Sequence, residues 1–273
     1  MGLVTVACVL LITVYLIVSG IPAIRKIGFT KFIFGSVWDS TNSTNPQFGI
    51  LPFILTSIYG TAGAIIIGVP VGFLCAVYLS KIAPKKVKSV VEFFVDLLAG
   101  IPSVVFGLVG MLFLVPMIRV HFNIPDGSGL LAAIIVLGIM ILPSIIKVSI
   151  TALDAVPKEY EDASLALGAT PVETYFRVSV PAAKSGIIAA IVLGVGRAIG
   201  EATAVVMVSG NAANMPGLFE SVRFLTTAVS SEMSYAGIGL QRQALFSIAL
   251  VLFFFVMLTN AFINYFKKQS REM

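Results

Sequence analysis

The feature that most constrains this chain is a succession of apolar runs, each close to the length that crosses a bilayer. They lie at about 3–20, 50–80, 90–118, 129–150, 185–209 and 244–265. About 20 mostly apolar residues cross the hydrocarbon core as a helix, because no water there can satisfy an open backbone. The expected fold class is therefore all-α, a polytopic membrane protein of six transmembrane helices. At about 1.5 Å per residue the second and third runs are too long for one perpendicular span. Gly60, Gly63, Gly68, Pro70 and Gly72 punctuate the second, and Gly100-Ile101-Pro102-Ser103 punctuates the third. Tilted or broken helices are expected in both.

Composition agrees. Of 273 residues, 58% are apolar and 11% are charged, whereas a soluble domain carries about 25% charged residues to keep its surface wetted. The opening MGLVTVACVLLITVYLIVSG has neither a basic n-region nor an A-x-A-like cleavage site, so it reads as the first span and not as a signal peptide. Val6 stands where a myristoylation signal needs Ser or Thr. An opening without a basic flank is expected of a chain whose native N-terminus is longer.

Cys8 and Cys75 both lie in apolar runs and make no disulfide framework or metal pattern, and His121 is the one histidine. No metal and no resident cofactor are expected. No Gly-rich phosphate loop of the G-x-x-x-x-G-K-[ST] kind occurs, so an ATP site is not expected in this chain. The net charge of +5 points to membrane orientation and not to nucleic acid. With both termini on the inner side, that side carries Lys81, Lys85, Lys86, Lys88, Lys147, Lys158, Arg177, Lys184, Lys267, Lys268 and Arg271. The outer side carries Arg25, Lys26, Lys31, Arg119, Arg223 and Arg242. The bias places both termini in the cytoplasm and segment 21–49, with Trp38, outside.

Residues 154–184, DAVPKEYEDASLALGATPVETYFRVSVPAAK, are too polar to span. Pro157 can open a helix, with Glu159, Glu161 and Asp162 near its positive end. Gly168 can close it, and Thr170-Pro171-Val172-Glu173 is a capping box with Pro at the first helical position. Two short helices with a sharp turn at Gly168 are expected. Fold physics alone leaves open whether they form an interfacial hairpin or a docking element.

Glu161-Asp162-Ala163, then Gly168, then Val178-Ser179-Val180-Pro181 resembles the EAA loop of binding-protein-dependent ABC importer permeases, which share the MetI-like fold. Asp162 departs from the alanine of that pattern, and Val178 and Val180 are conservative departures. Further matches are Phe48-Gly49-Ile50-Leu51-Pro52, Gly100 to Gly107, Arg197-Ala198-Ile199-Gly200-Glu201-Ala202-Thr203-Ala204, and Ser209-Gly210-Asn211. Over about 48–265 these are similar to phosphate permease subunits, the PstC kind more than its PstA partner. The resemblance implies a type I importer permease in the cell membrane. It would form half of a phosphate path with a second, PstA-like permease. A PstB-like ATPase pair would dock on the loop through Glu161, Asp162, Ala163, Gly168 and Pro181. A PstS-like binding protein would deliver phosphate from outside. ATP hydrolysis belongs to the partner, so this chain is not itself an enzyme. Three parts follow: 1–49, first span and outer loop; 50–265, transmembrane domain with its coupling loop at about 154–184; and a cytoplasmic tail, 266–273.

Arg197 lies near the middle of the fifth run, where a charge costs at least about 2.5 kcal/mol. Glu201, four residues on, shares its face if the helix continues, and an ion pair is expected. Gly196, Gly200 and Ala204 have the small-xxx-small spacing of a close helix contact. Two readings stand: a packing pair, or an anion site in which Arg197 attracts the substrate and Glu201 holds the arginine between passages. The second is favoured, because intramembrane charge usually marks a pathway and a guanidinium fork matches two oxyanion oxygens. Ser103, after the Pro break, is either a helix cap or a further group facing the anion. Glu92 and Asp96 are read as negative charge at a helix N-terminus in contact with Lys85, Lys86 or Lys88, in preference to a gating role, and Lys147 is expected to snorkel at the interface. Alternatives are a permease for another oxyanion such as sulfate or molybdate, an ion-coupled carrier, or a membrane scaffold.

Overall fold

The structure is a computed structural model that describes residues 2–42 and 44–269, with side chains through residue 261. Arg271 and the end of the 266–273 tail lie outside the described residues. Helix α1 (Gly2–Ile27) leads through α2 (Phe29–Phe34) into a two-stranded antiparallel sheet, β1 (Trp38–Asp39) and β2 (Gln47–Phe48), with Trp38 opposite Phe48. Helix α3 (Leu51–Val77) continues through a π-helical turn, Tyr78–Ile82, into α4 (Lys85–Gly100). Then follow α5 (Ser103–Val109), a π turn at Gly110–Leu114, and α6 (Val115–Phe122). Helix α7 (Leu130–Asp154) precedes α8 (Lys158–Ala166) and α9 (Pro171–Thr174). A π turn at Tyr175–Ser179 joins α9 to α10 (Val180–Ala182). The chain ends with α11 (Lys184–Gly200), α12 (Thr203–Val208), α13 (Leu225–Glu232) and α14 (Leu240–Gln269).

Five stretches of the described residues are long and apolar enough to cross a membrane: Gly2–Ile27, Leu51–Ile82, Ser103–Phe122, Leu130–Asp154 and Leu240–Ala261. A sixth arises if the pair Pro171–Ala182 and Lys184–Gly200, bent by 73°, is one span. The expected third run, 90–118, takes in the end of α4, all of α5 and the start of α6, with its break between α4 and α5. Pro102 has no N–H to donate and pushes the residue before it out of the helical region, so Ile101 is extended at φ −69°, ψ 127°. The glycines of the second run do not break α3, and neither does Pro70. A methyl group at Gly68 would lie 2.7 Å from Ile141, and one at Gly72 would lie 2.9 Å from Ile145. These glycines let α7 approach closely.

The chain divides into two compact units. One holds the described residues of Met1–Gly60, Val104–Ile134 and Gly200–Leu258; the other holds those of Thr61–Ser103, Ile135–Ile199 and Thr259–Met273. The core of the first gathers Phe32, Trp38, Ile50, Phe53, Leu225, Leu245 and Ile248. Trp38 packs edge-on to Phe48, ring centres 5.6 Å apart. Helix α14 meets α1 at Gly20, whose carbonyl accepts from the Ser247 hydroxyl at 2.6 Å. The core of the second unit gathers Val77, Leu79, Val95, Ile146, Ile150, Leu153 and Ile187.

Candidate functional site

The polar hairpin forms much as its sequence demands. Helix α8 follows Pro157. Gly168 stands at φ +89°, a left-handed position that glycine takes without the Cβ penalty. The Thr170 side chain accepts from the Glu173 N–H while Glu173 reaches back to the Thr170 N–H, the reciprocal cap. The hydroxyls of Ser164 and Thr174 lie 2.9 Å apart and tie α8 to α9.

Glu161 is anchored inside this unit. Its Oε1 lies 2.7 Å from Lys81 Nζ and accepts from the Ser179 hydroxyl at 2.8 Å. Both partners sit on π turns, Tyr78–Ile82 and Tyr175–Ser179. Burial pulls the Glu161 carboxyl upward. The hydrogen bonds from Lys81 and Ser179, with the lysine charge, outweigh that and hold it below the usual glutamate value. With Glu161 turned inward, Asp162, Ala163, Gly168 and Pro181 are exposed. So are the apolar side chains of Tyr160, Leu165, Leu167 and Val172, Leu167 at 90%.

Arg197 is half-buried on α11. It lines a cavity of about 520 Å³ with Ser144 of α7, Val192, Leu193 and Gly196 of α11, and Asn260 of α14. Among the described residues the guanidinium has no carboxylate partner. The close contacts of α11 fall at Gly186, where a methyl group would collide with Ala152, and at Gly194, where one would lie 3.0 Å from Ile145. Gly196 and Gly200, expected at a helix contact, have open space where a Cβ would go. That places Arg197 beside the open face.

Glu201 departs from expectation. The helix needed to stack it one turn above Arg197 ends at Gly200, and 201–202 are non-helical. Its carboxylate instead accepts from the Ala204 N–H at 3.0 Å, capping α12, where negative charge suits the helix dipole. Its backbone carbonyl accepts from the Thr226 hydroxyl at 2.9 Å. Ser103 is half-buried at the first residue of α5, as the Pro break requires.

Other charges find partners that the spacing did not reveal. Asp96 pairs with Lys147 at 2.5 Å, not with a neighbouring lysine. Glu92 does approach Lys88, at 4.0 Å. Lys88 also bonds Asp154 at 2.8 Å, and Ser80 donates to the same carboxylate. In the other unit Arg223 bonds Glu232, which also accepts from Trp38 Nε1 at 2.9 Å. Arg223 Nη2 donates to the Asn211 carbonyl at 2.7 Å. That carbonyl is presented by a left-handed turn, Gly210 at φ +74° and Asn211 at φ +54°. Glu92–Lys88 and Arg223–Glu232 aside, these pairs join residues 50 or more positions apart, or depend on a turn, so no local pattern marks them.

Residues 68–272 match the family described as "Binding-protein-dependent transport system inner membrane component". The probable ABC transporter permease protein YqgH of Bacillus subtilis is 37% identical, over 99% of this chain and 88% of its own. The phosphate transport system permease protein PstC of Haemophilus influenzae is 32% identical, over 89% and 82%. Among solved structures, one of the inward-facing MetNI methionine ABC transporter shares the fold at a TM-score of 0.59 and 22% identity, covering 81% of this chain and 94% of that one. A bacterial alginate ABC transporter in complex with an alginate-bound periplasmic protein shares it at 0.64 and 15%, covering 100% and 93%. By the family match and by these relatives, the chain belongs to the inner-membrane permease components of binding-protein-dependent ABC transport systems.

Proposed function

We propose that this chain is a membrane-spanning permease subunit of an ATP-driven phosphate importer. It forms half of the translocation path with a PstA-like permease and carries out no chemistry itself. The carrying observation is Arg197: a guanidinium without a carboxylate partner among the described residues, beside an open cavity, in a chain whose relatives include several PstC proteins. A permanent cation at such a position suits an anionic substrate, and family membership favours ATP coupling over an ion-coupled carrier. Glu201 and Ser103 contribute to the path, Glu201 by fixing the helix start that follows the arginine's helix. The chain lies in the cell membrane with both termini and the 154–184 hairpin in the cytoplasm, as the basic residues argue. There a PstB-like ATPase pair docks on the exposed side of α8 and the Gly168 turn, with Asp162, Ala163 and Pro181 at the contact. Glu161 serves the same coupling from within, by holding α8 through Lys81 and Ser179. A PstS-like protein supplies phosphate from the other side. The three parts 1–49, 50–265 and 266–273 serve as entry span with outer loop, transport domain and tail.

The test is uptake of labelled phosphate by proteoliposomes holding the full complex, with ATP inside and binding protein outside. Arg197→Gln should abolish uptake in complexes that still assemble. Parental uptake by that variant, or sulfate or molybdate carried in preference to phosphate, overturns the reading.

A further inference from the structure

We infer that Ser144 and Asn260 are ligands of the translocated oxyanion, completing with Arg197 a three-helix site on α7, α11 and α14; this rests on the function proposed above. Asn260 is an exposed residue next to last in the apolar span Leu240–Ala261, and half-buried Ser144 follows Pro143 in a long apolar helix. A polar group inside a membrane protein is costly unless it finds a partner, and such residues turn toward cavities. Both line the cavity that holds Arg197, and neither has a side-chain hydrogen bond among the described residues. Its volume of about 520 Å³ falls within the roughly 300–1,000 Å³ of ligand pockets. Its other walls, Val192, Leu193 and Gly196, are apolar or bare backbone, and its three polar side chains come from three separate helices.

The chemistry is complementary. Arg197 supplies fixed positive charge and up to two parallel N–H donors. The Ser144 hydroxyl donates one more hydrogen bond. The Asn260 amide can donate through Nδ2 to a charged oxygen and accept at Oδ1 from a P–OH, which phosphate retains near neutral pH. Two neutral ligands add hydrogen bonds without adding counter-charge. They bind the anion while leaving one cation to hold it, which lets it leave again.

The experiment exploits the isosteric pair Asn260→Asp and Asn260→Leu, measured as phosphate uptake by the assembled complex with Arg197→Gln alongside. A carboxylate facing an anion repels it, so Asn260→Asp should reduce uptake by at least about tenfold, and by more than Asn260→Leu. Ser144→Ala should raise the half-saturating concentration at a near-parental maximal rate. A purely structural asparagine gives the reverse order, because Asp keeps its shape and Leu does not. Equal or milder damage by Asp overturns the inference. If Asn260→Asp does not assemble, protection decides: phosphate should slow thiol labelling of Ser144→Cys, and unchanged labelling overturns the proposal. Parental uptake in the Asn260 and Ser144 variants with a dead Arg197→Gln removes only these two ligands. Parental uptake in Arg197→Gln as well removes the anion site itself.

Discussion

Replacing Glu161 by Gln keeps the side chain's shape but removes the charge that Lys81 faces. Two hydrogen bonds converge on that carboxylate, from Lys81 at 2.7 Å and Ser179 at 2.8 Å. A hydrogen bond to a charged group contributes about 1.5–3 kcal/mol, against about 1 kcal/mol for a neutral one. Losing the charged part of two such bonds costs about 2 kcal/mol. The figure stays below the roughly 3–5 kcal/mol of a fully buried pair, because the Glu161 side chain remains 19% exposed. Two kcal/mol is about a 30-fold shift in a local opening equilibrium. The opening concerns α8 and not the whole bundle, so the assay is amide hydrogen exchange in detergent-solubilised complex, read on peptides covering 158–168. Their exchange should rise about 30-fold while α7 and α11 are unchanged. Lys81→Met alone should do comparable damage by stranding the carboxylate, and the double variant should fall well short of the sum. Parental exchange in Glu161→Gln, or a strictly additive double variant, refutes the anchoring role.

Three further outcomes follow from the same geometry. Because the Glu161 pKa is lowered in the folded protein, its contribution is complete above the ordinary glutamate value of 4.5 and is lost as pH falls through the lowered value; exchange of α8 should therefore rise on acidification in the parent and lose that dependence in Glu161→Gln. Gly168→Val should cost at least about 1–2 kcal/mol, since a branched side chain is driven to φ +89°. Gly168→Asn should cost less, and because no atom lies within 4 Å of the added Cβ the damage should appear as uncoupled transport in an assembled complex; ATP-driven uptake at the parental rate in the Val variant removes the case for this turn. In a background lacking Cys8 and Cys75, Leu167→Cys should resist a membrane-impermeant thiol reagent applied to intact cells while Thr41→Cys reacts, and the opposite pattern inverts the topology.

Sequence by itself determined the apolar runs, hence an all-helical membrane fold, because satisfying a backbone without water leaves few solutions. It also determined the 154–184 hairpin, since Pro157, Gly168 and the Thr170–Glu173 box act through bonds only a few residues long. Arg197 was legible for the same reason: a permanent charge in an apolar run is visible without any neighbour. What only the tertiary structure decided involves groups brought together by packing or by a helix end. Spacing placed Glu201 under Arg197, but α11 stops at Gly200 and the carboxylate caps α12. Spacing offered Gly196 and Gly200 as a contact face, but Gly186 and Gly194 make the close contacts, and Gly196 and Gly200 face open space with Arg197 at the border between the two. The resemblance put Glu161 in the docking loop; that Lys81, 80 positions earlier, holds its side chain inward had no local signal. Periodicity fixes which residues share a face; which face is covered depends on the neighbouring helix, and no local pattern encodes that.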